Sequence, residues 1–327
     1  MFDRHPAIFA PSRQATPLAS NNLPPLIATA GDRATRRFLE FFTVTIRNRN
    51  TREAYARAVW RFFTWCDARR LTLSGVEPML VSLYIEELAG VVSAPTVKQH
   101  LAAIRMLFDW LVTGQIVPMN PAASVRGPKH VIKRGKTPVL IAEEARRLLD
   151  AIDPSAIAGL RDRALLSVMI YSFARVGAVV AMNVDDFTPR GRRMWFRLHE
   201  KGGKYHEVPA HHSAEEYVDA YLRSARLEAE RKAPLFRTLD RRRRLTGRRM
   251  QREEVLAMVK RRARQAGLST AVCCHTFRAT GITAYLANGG TLENAQRIAA
   301  HESPRTTSLY DRTGDEVSLD EIERIVI

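Results

Sequence analysis

From about Thr35 onward, apolar positions recur at helical spacing. Tyr55, Val59, Phe62 and Cys66 fall on one stripe behind Thr51, a residue type that caps helix N-termini, while Arg52, Arg57 and Arg61 lie off it. A helix around Leu80, Leu83, Tyr84 and Leu88 follows. Another, opened by Ser93 or Pro95, gathers Val97, Leu101, Ile104, Phe108 and Leu111 on one face. The pattern predicts an all-helical unit of about four helices. Residues 1–30 differ: Pro6, Pro11, Pro17, Pro24 and Pro25 stand among Ser, Asn and Thr without an apolar period, which reads as a disordered tail. Between Pro118 and Pro138, prolines, glycines and cations interrupt any element. This places a basic linker at 127–138, between a helical domain at 31–126 and a second domain at 139–327.

The second half continues in the helical period near Glu143–Ile152 and Leu160–Tyr171, and again at roughly 214–230, 250–266 and 276–288. A short helix capped by Thr291 follows, then one with Ser303 as N-cap and Pro304 at its first position. In between, Arg193 to His199 alternates, with Met194, Phe196 and Leu198 against Arg193, Trp195 and Arg197. A Gly202-Gly203 pair leads from there into Tyr205–Val208, the pattern of a β-hairpin. The expected fold class is mainly α with a small β-sheet (α+β). Leu319, Ile322, Ile325, Val326 and Ile327 form a last apolar helix, which reads as a docking segment for a partner surface.

Charge narrows the function. The 327 residues hold 51 Lys and Arg against 34 Asp and Glu, a formal net charge of +17. Such a balance suits a nucleic-acid or membrane surface. A hydrophobic share of 46% excludes a disordered chain, and no stretch approaches the roughly 18 apolar residues of a membrane span or the apolar run of a signal peptide. Cys66, Cys273 and Cys274 make no disulfide framework, so a reducing, cytoplasmic setting is expected. The segment Arg231–Arg264 is dominated by Lys and Arg, with Asp240, Glu253 and Glu254 as its few acids, and reads as a phosphate-binding surface.

Candidate chemistry gathers in the second half. His275 and Arg278 are spaced i,i+3 and share one helix face; His301 and Tyr310 follow; upstream, Phe173-Ala174-Arg175 ends an apolar helix and Lys201 stands at the hairpin tip. Singly, each has an ordinary explanation: a helix-end cation, a solvated turn lysine, a histidine in a polar contact, a rim tyrosine. Together they are cationic groups around one latent nucleophile, a set that suits a phosphodiester.

In order and spacing, Arg175, Lys201, His275, Arg278, His301 and Tyr310 resemble the Arg…Lys…His-x-x-Arg…His…Tyr pattern of the tyrosine recombinase (phage integrase) family, in its simple two-domain, Xer-like or transposon- and plasmid-encoded form. Lys201-Gly202-Gly203-Lys204 through Val208-Pro209 is similar to the family's lysine hairpin, and the N-terminal helices look like its core-binding domain. The resemblance implies a site-specific recombinase acting on double-stranded DNA through a 3′-phosphotyrosine, for integration, resolution or inversion. It also implies homotetramers on two paired sites, weakly associated without DNA, with the last helix docking into a neighbouring protomer. Tyr310 would be the nucleophile, Arg175 and Arg278 the phosphate-holding forks, and Lys201 the acid for the leaving oxygen. His275 would be a phosphate donor or proton-transfer group and His301 a donor near the attacking oxygen. No cofactor, metal or ATP is expected, because the covalent link stores the bond energy.

Two positions depart from the family pattern: Ala178 stands where an acid usually braces the first arginine, and Ala300 where glycine usually precedes the second histidine. Three alternatives remain. One is type IB topoisomerase-like relaxation and another a non-cleaving DNA-binding regulator. The third is metal chemistry at Cys273, Cys274 and His275 or at His206, His211 and His212, neither of which has zinc-ligand spacing.

Overall fold

The computed structural model describes residues 23–130, 135–200 and 205–311. The chain divides into two compact units, Met1–Val131 and Ile132–Ile327. Lys201 and the segment 318–327 expected to form the last helix lie outside the described residues.

The first unit is helical: α1 (Pro25–Ala28), α2 (Asp32–Glu40) running into a π turn at Phe41–Thr45, α3 (Arg49–Asp67), α4 (Pro78–Ala89) and α5 (Ala94–Thr113). The stripe on α3 is buried at Val59, Phe62 and Cys66, and packs with Leu101, Ile104 and Phe108 of α5 in one core. Its N-cap is Asn48 and not the expected Thr51: the Asn48 side chain accepts from the backbone N–H groups of Asn50 and Thr51. Either residue type can cap, and Asn48 is the one that precedes the first helical turn. The expectation of a tail without a fold over 1–30 is corrected at its end. Pro25 opens α1, where a missing N–H costs nothing, and Leu26 and Ile27 are fully buried in the core.

The second unit contains α6 (Ala142–Asp150), α7 (Ile157–Tyr171), α8 (Val176–Ala181), strands β1 (Phe187–Arg190), β2 (Arg193–His199) and β3 (Tyr205–Pro209), and α9 (His212–Ala225). It continues with β4 (Arg237–Leu239), β5 (Leu245–Arg249), α10 (Arg252–Gln265), α11 (Cys274–Ala287), α12 (Leu292–Ile298) and α13 (Pro304–Ser308). The antiparallel sheet β1-β2-β3 pairs Phe196 with both Phe187 and Val208, so the alternation of β2 buries Phe196 and Leu198 as expected. Strand β1 and the ribbon β4–β5 were not legible: β1 has four residues, one of them Pro189, and the ribbon is written largely in arginine. Among the described residues no helix is long and apolar enough to cross a membrane.

Much of the cationic segment expected to face phosphate is spent inside the protein. Arg237 is buried on Glu230, Arg249 donates to the carbonyls of Val180 and Met182, and Arg262 joins Arg161 on the fully buried Asp162. Arg244 and Arg248 pair with Asp240 and Glu254. At the ribbon's turn, Arg241, Arg242 and Arg243 remain exposed.

Helix α7 is the pillar of this unit. It is buried on nearly every side, so it carries no amphipathic stripe. Helix α11 approaches it so closely at Gly281 that a Cβ there would lie 2.0 Å from the Ile170 carbonyl oxygen. Gly281→Ala must therefore push the two helices apart, and a loss of about 1–3 kcal/mol is expected in denaturant unfolding. An unchanged midpoint would show that the contact is looser than this.

Candidate active site

Two helix ends build the site. Helix α7 stops at Tyr171 and the chain turns through Phe173, which has a left-handed φ of 53°; α12 stops at Ile298 and turns through Ala300, φ 48°. Left-handed residues just past a helix C-terminus are a common way to end it, and they leave nearby carbonyls without intrahelical donors. Arg278, in the second turn of α11, takes up both ends: one Nη donates to the Phe173 carbonyl and the other to the Ala299 carbonyl at 2.6 Å. Its side chain is fully buried at 1% exposure. A guanidinium out of water is costly, and the carbonyls at the negative ends of two helices offset part of that cost. Burial and then the nearby Arg175 lower its pKa to about 10, which still leaves it charged at neutral pH. Its Nε is buried with no acceptor among the described residues.

Ala300 is also where the family pattern has glycine. The left-handed backbone gives the reason: glycine adopts it freely, whereas alanine carries a strain of about 1 kcal/mol.

Tyr310 is brought back to this point by α13 and three backbone ties. Its N–H donates to the Thr307 carbonyl at 2.9 Å, its carbonyl accepts from Thr283 Oγ1 at 3.0 Å, and the Leu309 carbonyl accepts from Gly135 N–H at 3.1 Å. The Tyr310 hydroxyl is hydrogen bonded to Nε2 of His275 at 2.8 Å. His301 lies parallel to the Tyr310 ring, 8° apart with centroids separated by 6.0 Å, and its Nδ1 is bonded to Thr307 Oγ1 at 2.8 Å. His206 of β3 meets the Ile298 carbonyl through Nε2 at 2.8 Å, tying the sheet to the end of α12.

Arg175 does not end an apolar helix; it stands four residues beyond α7 and occupies the N-cap position of α8. Its side chain is 41% exposed, and Nη1 donates to Glu200 Oε2 at 2.6 Å. Ala178, on α8, is buried and offers no acceptor. Glu200 escaped the sequence reading, because an acid placed just before the hairpin lysine matches no spacing rule for partnering Arg175. The structure thus brings together Arg175, His275, Arg278, His301 and Tyr310. The sixth expected residue, Lys201, directly follows Glu200 and lies outside the described residues.

The proposed metal groupings have other occupations. Cys273 is the N-cap of α11 with Sγ 3.7 Å from Thr276 Oγ1, burial pushes the Cys274 thiol up to about 11, and His211 stacks on Tyr171 at 4.1 Å. Among the described residues no three His, Cys, Asp or Glu side chains converge on a point that could hold a metal ion.

Burial and positive charge set the protonation states. Burial first, then Arg278 and Arg175, lower the pKa of His275; the same causes, with His275 added, push His301 down to about 3. Burial raises Tyr310 above its ordinary value, against the pull of Arg278 and Arg175. Both histidines are thus neutral at pH 7. Because their folded pKa values lie below the unfolded value near ~6.5, the stability they contribute is present above pH ~6.5 and is lost as pH falls toward the folded values. Ring-proton NMR of the DNA-free protein should give midpoints below 6.5 for both, His301 the lower. A midpoint at or above 6.5 for either would contradict the electrostatics.

Residues 138–316 match the phage integrase family and residues 36–115 match the phage integrase N-terminal SAM-like domain. The chain is 30% identical over 234 residues to the tyrosine recombinase XerC of Chlamydia muridarum (strain MoPn / Nigg), covering 70% of this chain and 71% of the relative. Its fold matches that of the XerH site-specific recombinase in a post-cleavage complex with palindromic difH substrate, with TM-score 0.69, 17% identity and coverage of 95% and 99% of the two chains. It also matches a lambda integrase tetramer bound to a Holliday junction, with TM-score 0.63, 17% identity and coverage of 87% and 79%. With the family match spanning more than half of its length, the chain belongs to the phage integrase family, the tyrosine recombinases.

Proposed function

We propose that this chain recombines specific sites in double-stranded DNA by cleaving and rejoining strands at Tyr310. The observation that carries the reading is the Tyr310 hydroxyl, hydrogen bonded to a neutral His275 within the field of Arg278 and Arg175. A phosphodiester gains negative charge as phosphorus becomes pentacoordinate. Preorganised donors aimed at its non-bridging oxygens then stabilise the transition state more than the ground state.

In this reading Tyr310 Oη attacks phosphorus while its proton passes to His275 Nε2. A bond forms between Oη and phosphorus, and the bond to the 5′ oxygen breaks. The leaving alkoxide takes a proton from Lys201, giving a 3′-phosphotyrosine and a free 5′-hydroxyl. Arg175 and Arg278 neutralise the phosphate, and His301, with Nδ1 occupied by Thr307, turns its other ring nitrogen to a donor role near the attacking oxygen. Attack by a 5′-hydroxyl reverses every step, so the link conserves the energy of the bond it replaces and neither ATP nor metal has a step to perform.

The first unit, matched by the phage integrase N-terminal SAM-like domain, serves as a core-binding domain, and the exposed Arg241, Arg242 and Arg243 add phosphate contacts. Strand exchange needs two sites. Four protomers on paired sites are the assembly this reading calls for; a lambda integrase of similar fold is a tetramer on a Holliday junction.

Tyr310→Phe keeps the ring and its packing and removes only the nucleophilic oxygen, so DNA binding should survive while covalent adduct disappears. Trapping on a nicked suicide duplex and denaturing electrophoresis reads the outcome. An adduct formed by this variant would refute the nucleophile.

A further inference from the structure

The partner of Arg175 is unusual in where it comes from. Helix α8, which Arg175 opens, presents only the buried methyl of Ala178 one turn on, so it supplies no acceptor for the guanidinium. The acceptor arrives instead from the sheet. Glu200 directly follows β2, its side chain is 7% exposed, and its Oε2 sits 2.6 Å from Arg175 Nη1. The end of β2 is a firm base for it: Phe196 and Leu198 are fully buried, His199 pairs with Tyr205 of β3, and His199 Nε2 is bonded to Asp186 Oδ2 at 3.1 Å.

We propose that Glu200 is a positioning residue for strand cleavage: from the end of β2 it holds one nitrogen of Arg175 and aims the remaining N–H groups at the phosphate. This rests on the function proposed above. Arg175 is a long side chain, 41% exposed, and has wide rotamer freedom unless something fixes it. A bond to a single Nη fixes the fork and leaves its other donors available. The carboxylate also acts on the second arginine of the site. Arg175 disfavours the charged form of Arg278, and Glu200 favours it, so Glu200 eases the packing of two guanidiniums around one phosphate.

The test compares Glu200→Gln and Glu200→Asp with the wild-type full chain, measuring single-turnover adduct formation at saturating protein, duplex affinity, melting temperature, and the Nε–H resonance of Arg175, assigned with Arg175→Lys. Glu200→Gln should slow adduct formation by about 10- to 100-fold, the scale of a misplaced catalytic group, without weakening DNA binding, since it removes a negative charge. It should also broaden or lose the Arg175 Nε–H signal, and Glu200→Asp should restore part of the rate. An unchanged rate would overturn the proposal. So would a faster one, which would mean that the carboxylate competes with phosphate, and so would parallel losses of rate, affinity and melting temperature, which would make Glu200 a support of the fold alone. If the wild type itself formed no adduct, the recombinase reading would fail, while the Arg175 resonance would still decide whether Glu200 holds the guanidinium.

Discussion

Arg278 is a full positive charge held almost entirely out of water, and the second unit is arranged around making that tolerable. No carboxylate is bonded to it among the described residues; its two Nη groups rest on the carbonyls of Phe173 and Ala299, at the C-terminal ends of α7 and α12. Neutralisation by helix-end carbonyls is partial. A carboxylate taking both Nη groups would occupy the fork and cancel its charge, whereas the single bond from Glu200 to Arg175 leaves that fork partly free. Partial compensation keeps the residue buried, fixed in direction and still electropositive, which is what a preorganised anion site requires.

Several local features follow from that one constraint. Both carbonyls are presented by left-handed bends, at Phe173 and Ala300, and both bends are strained because neither residue is glycine. Helix α11 must lie against α7 for Arg278 to reach Phe173, and Gly281, one turn after Arg278, gives the room. Burial first, and then this charge with that of Arg175, keep His275 and His301 neutral, while the two charges oppose the burial that raises Tyr310. The groups proposed as proton acceptor, nucleophile and anion site are thus coupled through the same burial and the same two charges.

The helices were legible because their apolar stripes are long, as on α3 and α5, and β2 because its alternation is strict over Met194, Phe196 and Leu198. What escaped reading is short or depends on tertiary context. Strand β1 holds a proline in four residues, and β4–β5 looks like charged loop until Arg237 and Arg249 are seen donating to protein acceptors. The grouping of His275, Arg278, His301 and Tyr310 was visible in their order and spacing. The Arg175–Glu200 pair was not, because its partners lie 25 residues apart on a helix start and a strand end, and nothing local joins them.

The central claim is that Arg278 acts by neutralising the phosphate, and the most direct measurement changes the charge of the phosphate itself. Arg278→Ala should be assayed for adduct formation on matched suicide duplexes whose scissile group is either a phosphodiester or an uncharged methylphosphonate. The ratio between the two substrates, taken on one preparation, is independent of how much of the variant is folded. The account predicts a deficit on the order of 10²- to 10³-fold with the phosphodiester that largely disappears with the methylphosphonate. An equal deficit on both substrates would contradict it, and would make Arg278 a residue that holds helices together and nothing more.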